Sequence, residues 1–323
     1  MLYPIKFYPI LKEKIWGGDK LRTILKKPSI TNNVGESWEI STVDEDISIV
    51  SNGAYKGEKL NDLIIKYKSD LLGTRVYKEF GNQFPLLIKF IDAKEDLSVQ
   101  LHPGDELARK RHNSFGKTEM WHVVQADPNA KLIIGFDKDT NKEEYETFLK
   151  KGKITQLLNF ETVYKGDSYF IEAGRIHAIN KGCLIAEIQQ TSDITYRVYD
   201  WDRKDKNGNY RELHTDLALD ALDYKKNNNF KLNCKKIAND VDEIISTKYF
   251  TTNTITVNKS LKRDYRGLDS FKIFMCVQGS GRIVVDDKVT AITFGETLLI
   301  PAMIKHLIIE KDELTMKLLE VYI

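Results

Sequence analysis

Two stretches built to one plan, Gly166 to Ile179 (GDSYFIEAGRIHAI) and Gly295 to Ile308 (GETLLIPAMIKHLI), constrain what this chain can fold into. Each starts at a glycine, runs through apolar residues, crosses a turn of small residues or proline, and delivers a histidine eleven positions on. The two histidines, His177 and His306, stand 129 residues apart. Short apolar runs bounded by turn residues read as strands rather than helices. A repeated strand–turn unit predicts two copies of one β architecture in tandem.

The rest of the chain fits a mainly β fold. The runs ESWEIST, DLSVQLH, EMWHVVQ, AKLIIGF, ITYRVYD, KIFMCVQG and GRIVVDD alternate or are rich in β-branched and aromatic residues. Three windows have helical spacing instead, near 58–72, near 141–159, and from Arg211 to Leu222, so helices are predicted as insertions in a β framework. The polar run DYKKNNNFK (Asp223 to Lys231) separates the repeats and places the domain boundary at 225/226, giving units 1–225 and 226–323. Two cores are affordable, because 41% of the 323 residues are hydrophobic.

Charge and cysteine content exclude several classes of function. With 49 Lys+Arg against 47 Asp+Glu the formal charge is +2, too balanced for a nucleic-acid or anionic-membrane footprint. Cys183, Cys234 and Cys276 are widely spaced and odd in number, which argues against a disulfide framework or a cysteine metal cluster and for a reducing compartment. Lys, Pro and Glu interrupt the N-terminal MLYPIKFYPILKEKIWGG, so no signal or membrane-spanning core is expected and a cytoplasmic location follows.

The glycine–strand–turn–histidine pattern resembles the second motif of cupins, small jelly-roll barrels whose turn aims the histidine inward. Two tandem cupin barrels are the resulting expectation. Only the first repeat has further ligand candidates upstream, in SVQLHPGDE and GKTEMWHVV; the segment FKIFMCVQGSGRIVV before the second repeat has no histidine or carboxylate, so that barrel is expected to be metal-free. Strand alternation puts Ser98, Gln100 and His102 on one face, and Lys117, Glu119 and Trp121 on another with Met120 and His122 opposite. His102, Glu119 and His177 can then converge on one ion. Two imidazoles and a carboxylate with open positions suit a catalytic zinc, and Gln100 can add an amide oxygen.

With those residues in view, the chain resembles the type I mannose-6-phosphate isomerases in their short bacterial form. The resemblance runs through KIWGG, GESWEIS, QLHPGDE, GKTEMWH and IHAINKGCLIAEIQQTSDITYRVYDWDR, over at least the first two thirds of the sequence. It implies two cupin barrels with helical insertions, one zinc ion on His102, Glu119 and His177, Gln100 as an additional ligand, and a catalytic Arg197. It also implies a sugar-phosphate substrate and proton transfer between C2 and C1 through an enediol. Glu187, ten residues before Arg197, and Lys117, sharing the face of Glu119, are the candidates for proton transfer. Arg197, Lys117 and Lys89 are the candidates for substrate binding, and the base and the phosphate anchor stay unassigned among them.

Two rival functions use the same residue types. A non-haem iron cupin oxygenase also takes two histidines and a carboxylate, but usually has a carboxylate two residues after the first histidine, where this chain has Gly104. A sugar-sensing cupin without activity would not need Arg197 and a full ligand set. The other histidines read as structural: His112 in a charged loop, His122 facing away from Glu119, His214 on a helix, and His306 without partners. Asp105 and Glu106 read as a helix cap and first-turn acid. Trp16 and Trp38 read as core or pocket wall. The second repeat has Met303 where the first has Gly174, so its turn differs if that position needs positive φ.

Overall fold

The structure, a computed structural model, describes residues 2–205, 207–233, 238–312 and 314–323. Strands dominate it and fall into two pairs of larger sheets. The first pair is a seven-stranded sheet in the spatial order Ile10–Gly18, Val34–Ile40, Leu86–Ala93, Cys183–Gln190, Glu119–Ala126, Ser168–Ile171, Lys231–Leu232, and a five-stranded sheet in the order Tyr196–Tyr199, Val99–Leu101, His177–Ile179, Lys131–Phe136, Leu158–Thr162. The second pair joins five strands (Val241–Ser246, Thr251–Val257, Met316–Tyr322, Lys272–Gln278, Thr297–Ile300) and four (Leu261–Asp264, His306–Lys311, Ser280–Val285, Lys288–Thr293). Neighbours within these four sheets are antiparallel.

The core explains why the central strands are so apolar. Leu86–Ala93 and Cys183–Gln190 are buried along their whole length. One face, with Leu86, Ile88, Phe90, Leu184, Ala186 and Ile188, joins a cluster that also takes Phe250, Phe271, Ile273, Leu319 and Val321 from the second pair of sheets. The other face, with Ile91, Ala93, Cys183 and Ile185, lines the interior of the first pair together with Trp16, Trp121 and Tyr169. A strand covered on both sides gains from apolar residues at every position. Of the charged exceptions, Asp92 accepts from the Lys20 amide at 2.7 Å, which leaves Lys89 and Glu187 on the inner face as residues with a task.

Three helical readings need correction. The window near 58–72 forms two helices, Leu60–Tyr67 and Ser69–Leu72, because Lys68 between them takes a positive φ of 45°. The window near 141–159 is helical only over Lys142–Lys150, with Gly152 at φ 65° ending it before a short turn at Ile154–Leu157. The helix read from Arg211 to Leu222 is reduced to Thr215–Leu219, which leaves Arg211–His214 outside any helix or strand. His112 lies at the end of a helix, Asp105–His112, and not in a loop. Cys183 and Cys276 are free and buried, whereas Cys234 lies outside the described residues. Among the described residues no helix is long and apolar enough to cross a membrane.

The two repeats diverge where the sequence differs. Gly174 adopts φ 89°, and a Cβ there would stand 2.7 Å from the carbonyl oxygen of Ala221, so both conformation and space demand glycine. Its amide donates to the carbonyl of His102 at 2.8 Å, tying the two histidine-bearing segments together. Met303 has no positive φ, and His306 emerges with a side chain 64% exposed against 1% for His177.

Candidate metal centre and substrate pocket

The register of the two facing sheets assembles the site row by row. Across the seven-stranded sheet, Trp38 pairs with Lys89, Lys89 with Glu187, and Glu187 with Trp121. Across the five-stranded sheet, Arg197 pairs with Gln100 and Gln100 with His177. Side chains of directly opposed residues lie on the same face of a sheet. Each row therefore presents its polar groups to the space between the sheets.

At the inner end of that space His102, Glu119 and His177 offer ligand atoms that all lie within 4.8 Å of one another. All three residues are buried. The Nδ1 atoms of His102 and His177 donate to the backbone carbonyls of Ile194 (2.7 Å) and Arg175 (2.8 Å), which leaves each Nε2 with its lone pair toward the centre. His102 Nε2 is 3.2 Å from Glu119 Oε1, and His177 Nε2 is 3.9 Å from Glu119 Oε2. Burial, reinforced by Lys117, pushes the His102 imidazole down to about 3, and burial also lowers His177. Glu119 is held well below the carboxylate range: burial opposes ionisation, but Lys117 and the histidines outweigh it. Neutral imidazoles and an ionised carboxylate are the protonation states a metal requires.

The donor set fits a metal on a further count. Both carboxylate oxygens of Glu119 and Nε2 of His177 are buried without a hydrogen bond. An acceptor left in that state destabilises a fold by about 1–3 kcal/mol, so three of them aimed at one point call for a cation. The nearest positive charge is Lys117, whose Nζ is 3.2 Å from Glu119 Oε1 and 3.4 Å from His102 Nε2.

A cavity of about 300 Å³ opens from this centre, lined by His177, Gln100, Lys117, Lys89, Glu187 and Arg197 among others. Every substrate-site residue read from the sequence thus borders the pocket. Gln100 sits between Arg197 and His177, its amide oxygen accepting from the Ser98 hydroxyl at 3.3 Å. Glu187 accepts from Trp121 Nε1 at 2.8 Å and lies 3.2 Å from Lys89 Nζ. Burial and the neighbouring Glu119 charge raise the Glu187 carboxyl, whereas the attraction of Glu187 and Glu36 overrides burial and raises Lys89. Arg197 is steadied by Ser98 Oγ (3.3 Å) and the Glu212 carbonyl (2.9 Å).

Four charged lining residues escaped the sequence reading as site residues: Lys14, Glu36, Asp193 and Arg211. Glu36, within GESWE, accepts from Trp38 Nε1 at 2.6 Å and pairs with Lys14 at 3.1 Å. Arg211 lines the wall from a segment outside any helix, and Asp200 holds its guanidinium through two hydrogen bonds, one of 2.6 Å from Nε. Trp16 forms pocket wall, and Trp38 lies under Lys89 with its ring centroid 5.1 Å from Nζ. Of the histidines set aside, His214 has a local role. Its Nδ1 accepts from the Arg197 amide at 3.1 Å.

Glu36 gives the site an acid signature. Burial raises its carboxyl, but Lys89 and Lys14 win and bring it from 4.5 down to about 2. A carboxyl depressed on folding contributes stability that is present above the unfolded value and lost as pH falls through the folded one. Urea midpoints of the wild type should therefore fall between pH 4.5 and about 2, and Glu36→Gln should flatten that part of the curve. Parallel curves for the two proteins would remove Glu36 from the acid transition.

Residues 5–163 match the sequence profile described as phosphomannose isomerase type I, catalytic domain. The chain is 35% identical over 312 residues to the mannose-6-phosphate isomerase of Streptococcus mutans, covering 94% of each. It is 34% identical to the mannose-6-phosphate isomerase ManA of Bacillus subtilis, over 92% of this chain and 93% of that one. The crystal structure of a mannose 6-phosphate isomerase from Bacillus subtilis superposes with a TM-score of 0.90 at 32% identity, covering all of both chains.

Proposed function

This chain belongs to the type I phosphomannose isomerases, and on that footing we propose how its pocket interconverts mannose 6-phosphate and fructose 6-phosphate. The reaction is an aldose–ketose isomerisation, and the oxygenase and sugar-sensing alternatives are not favoured. The observation that carries the mechanism is the buried group His102, Glu119 and His177, with ligand atoms within 4.8 Å of one another, beside a basic pocket.

We assign zinc to His102, Glu119 and His177, with Gln100 as a fourth donor, on the chemistry of two imidazoles and a carboxylate. When bound, the ion supplies positive charge that favours oxyanion character on the sugar. Glu187, on the pocket wall, carries the proton between C2 and C1: burial and the neighbouring Glu119 charge raise its carboxyl and so make it a stronger base than an ordinary carboxylate. Lys117 donates to the sugar oxygens beside it. Lys89 holds Glu187 in place and keeps its own charge. Arg197 and Arg211, each anchored by its own partners on the pocket wall, take the phosphate end.

The same reading covers the rest of the molecule. Each pair of sheets is one cupin barrel, and the division into a metal-binding unit 1–225 and a metal-free unit 226–323 is supported by sheet membership, with Lys231–Leu232 as a short strand reaching back to the first unit. A cytoplasmic location is supported by the free thiols of Cys183 and Cys276, both pushed up to about 12 by burial, and by a charged substrate.

A coupled assay for fructose 6-phosphate formed from mannose 6-phosphate, with and without chelator, tests the mechanism. Chelation should abolish turnover and zinc should restore it, and Arg197→Ala should lower kcat/KM by about 10²–10³. Chelator-insensitive turnover, or full activity in that variant, would refute it.

A further inference from the structure

The second pair of sheets holds no candidate metal group among the described residues, yet one of its side chains bonds to the segment that follows His102. Tyr249, in the bend between the strands Val241–Ser246 and Thr251–Val257, donates its hydroxyl to Asp105 Oδ2 at 2.6 Å. Asp105 opens the helix that follows His102 and Pro103, but it does not cap that helix. Gly104 occupies the cap position, without any side-chain cap bond. The other oxygen of Asp105 accepts from Gln190 Nε2 (2.9 Å) and from the amide of Gly116 (3.1 Å).

Those two partners are the clamp on the segment that presents Lys117. Gln190 Oε1 accepts from the amide of Thr118 at 2.9 Å, and the Gln190 amide returns a bond to the Thr118 carbonyl at 3.2 Å. The Lys117 amide itself donates to the carbonyl of Pro103 at 3.2 Å. Gly116 sits so close that a Cβ on it would lie 2.7 Å from the Asp105 amide. Residues 116–118 therefore have their position set by Asp105 and Gln190, and Asp105 has its carboxylate plane set from the other unit by Tyr249. The bend offering that hydroxyl is rigid: Thr247 Oγ1 accepts from the amides of Tyr249 and Phe250 at 3.1 Å each, and Phe250 is buried in the cluster shared by both pairs of sheets.

We propose that Tyr249 is a positioning residue for the isomerisation, acting through Asp105 and the 116–118 segment to fix Lys117 against the metal centre. The metal-free unit then takes part in catalysis instead of serving only as packing. Lys248, 3.5 Å from Asp105 Oδ2 and 74% exposed, adds a screened charge that does not define direction, whereas the half-buried Tyr249 hydroxyl does. Reacting groups displaced by a fraction of an ångström lose much of their rate while ground-state binding changes little. The inference rests on Lys117 serving the reaction, as proposed above.

Tyr249→Phe, which keeps the ring and deletes the hydroxyl, is the test. Steady-state kinetics should show kcat reduced about tenfold with KM within about twofold, bound metal unchanged and the thermal midpoint within a few degrees of wild type. Tyr249→Phe combined with Asp105→Asn should be no slower than Asp105→Asn alone, since both break one link. Wild-type kcat in Tyr249→Phe, a loss confined to thermal stability, or additive effects in the pair would each overturn the proposal. Should the Asp105 variant not fold, the kcat-against-KM split of Tyr249→Phe decides alone. If the wild type has no isomerase activity, the reaction assignment fails instead, before any variant is compared.

Discussion

His177→Ala is expected to empty the metal centre and to lower kcat by at least about a thousandfold, or about 4 kcal/mol of barrier. Of the three ligand residues it is the one whose ring atom is both buried and without any hydrogen-bond partner, so its Nε2 has no other task in the fold. Its removal leaves one imidazole, one carboxylate and the weak amide donor of Gln100, whose oxygen already accepts from Ser98, a set poorer than the three strong protein ligands typical of a catalytic zinc. Metal analysis after dialysis should fall from about one ion per chain to less than about a tenth of that. The wild type should also lose thermal stability on chelation, because an ion that binds only the folded chain stabilises it by mass action, about 2.7 kcal/mol at a hundred times its Kd. His306→Ala is the matched control: the same position of the second repeat, an exposed ring, and no expected change in bound metal. A His177→Ala protein that kept its metal, or turned over at the wild-type rate, would sink the assignment of the centre.

The contrast between those two histidines shows what a sequence can and cannot disclose. Spacing alone gives both the same reading, and the first repeat's ligands follow because strand alternation is a local property: residues two apart share a face whatever surrounds them. Orientation of the second histidine depends on Met303 lacking the φ that Gly174 adopts, which the glycine itself hinted at. Lys89 and Glu187 were harder to place from residues alone. Their strands are apolar on both faces, so no alternation marks which side a charge takes, and only the register pairing Lys89 with Glu187 puts both in the pocket. Arg211 was missed for a different reason. A helical spacing from Arg211 to Leu222 hid a segment that lies outside the helix, since Arg211 is pinned by Asp200 and the His214 amide donates to the Arg197 carbonyl at 2.7 Å. Asp105 was legible as a first-turn acid, but its link to Tyr249 spans 144 residues and leaves no trace in local pattern.

Lys89→Met should unfold more readily than any other single pocket substitution and should be nearly inactive. Lys89 is 3% exposed and stands between two buried carboxylates, 3.2 Å from Glu187 and 3.9 Å from Glu36. Removing one partner of a buried ion pair destabilises by about 3–5 kcal/mol, because the charge left behind keeps its desolvation without its counter-ion. Here Glu36 retains Lys14 at 3.1 Å, so the lower end, about 3 kcal/mol, is expected from urea unfolding at neutral pH. Glu187 keeps only the weaker attraction of Lys117. Already raised by burial and by Glu119, its carboxyl will rise further without Lys89 and hold its proton, which removes the base from the reaction and should lower kcat by about 10²–10³. Lys89→Met with Glu187→Gln separates the two effects: the double variant has no buried Glu187 carboxyl to protonate at neutral pH and should regain part of the lost stability, yet it should stay inactive. Recovery of activity together with stability would show that Glu187 serves the fold and not the proton transfer.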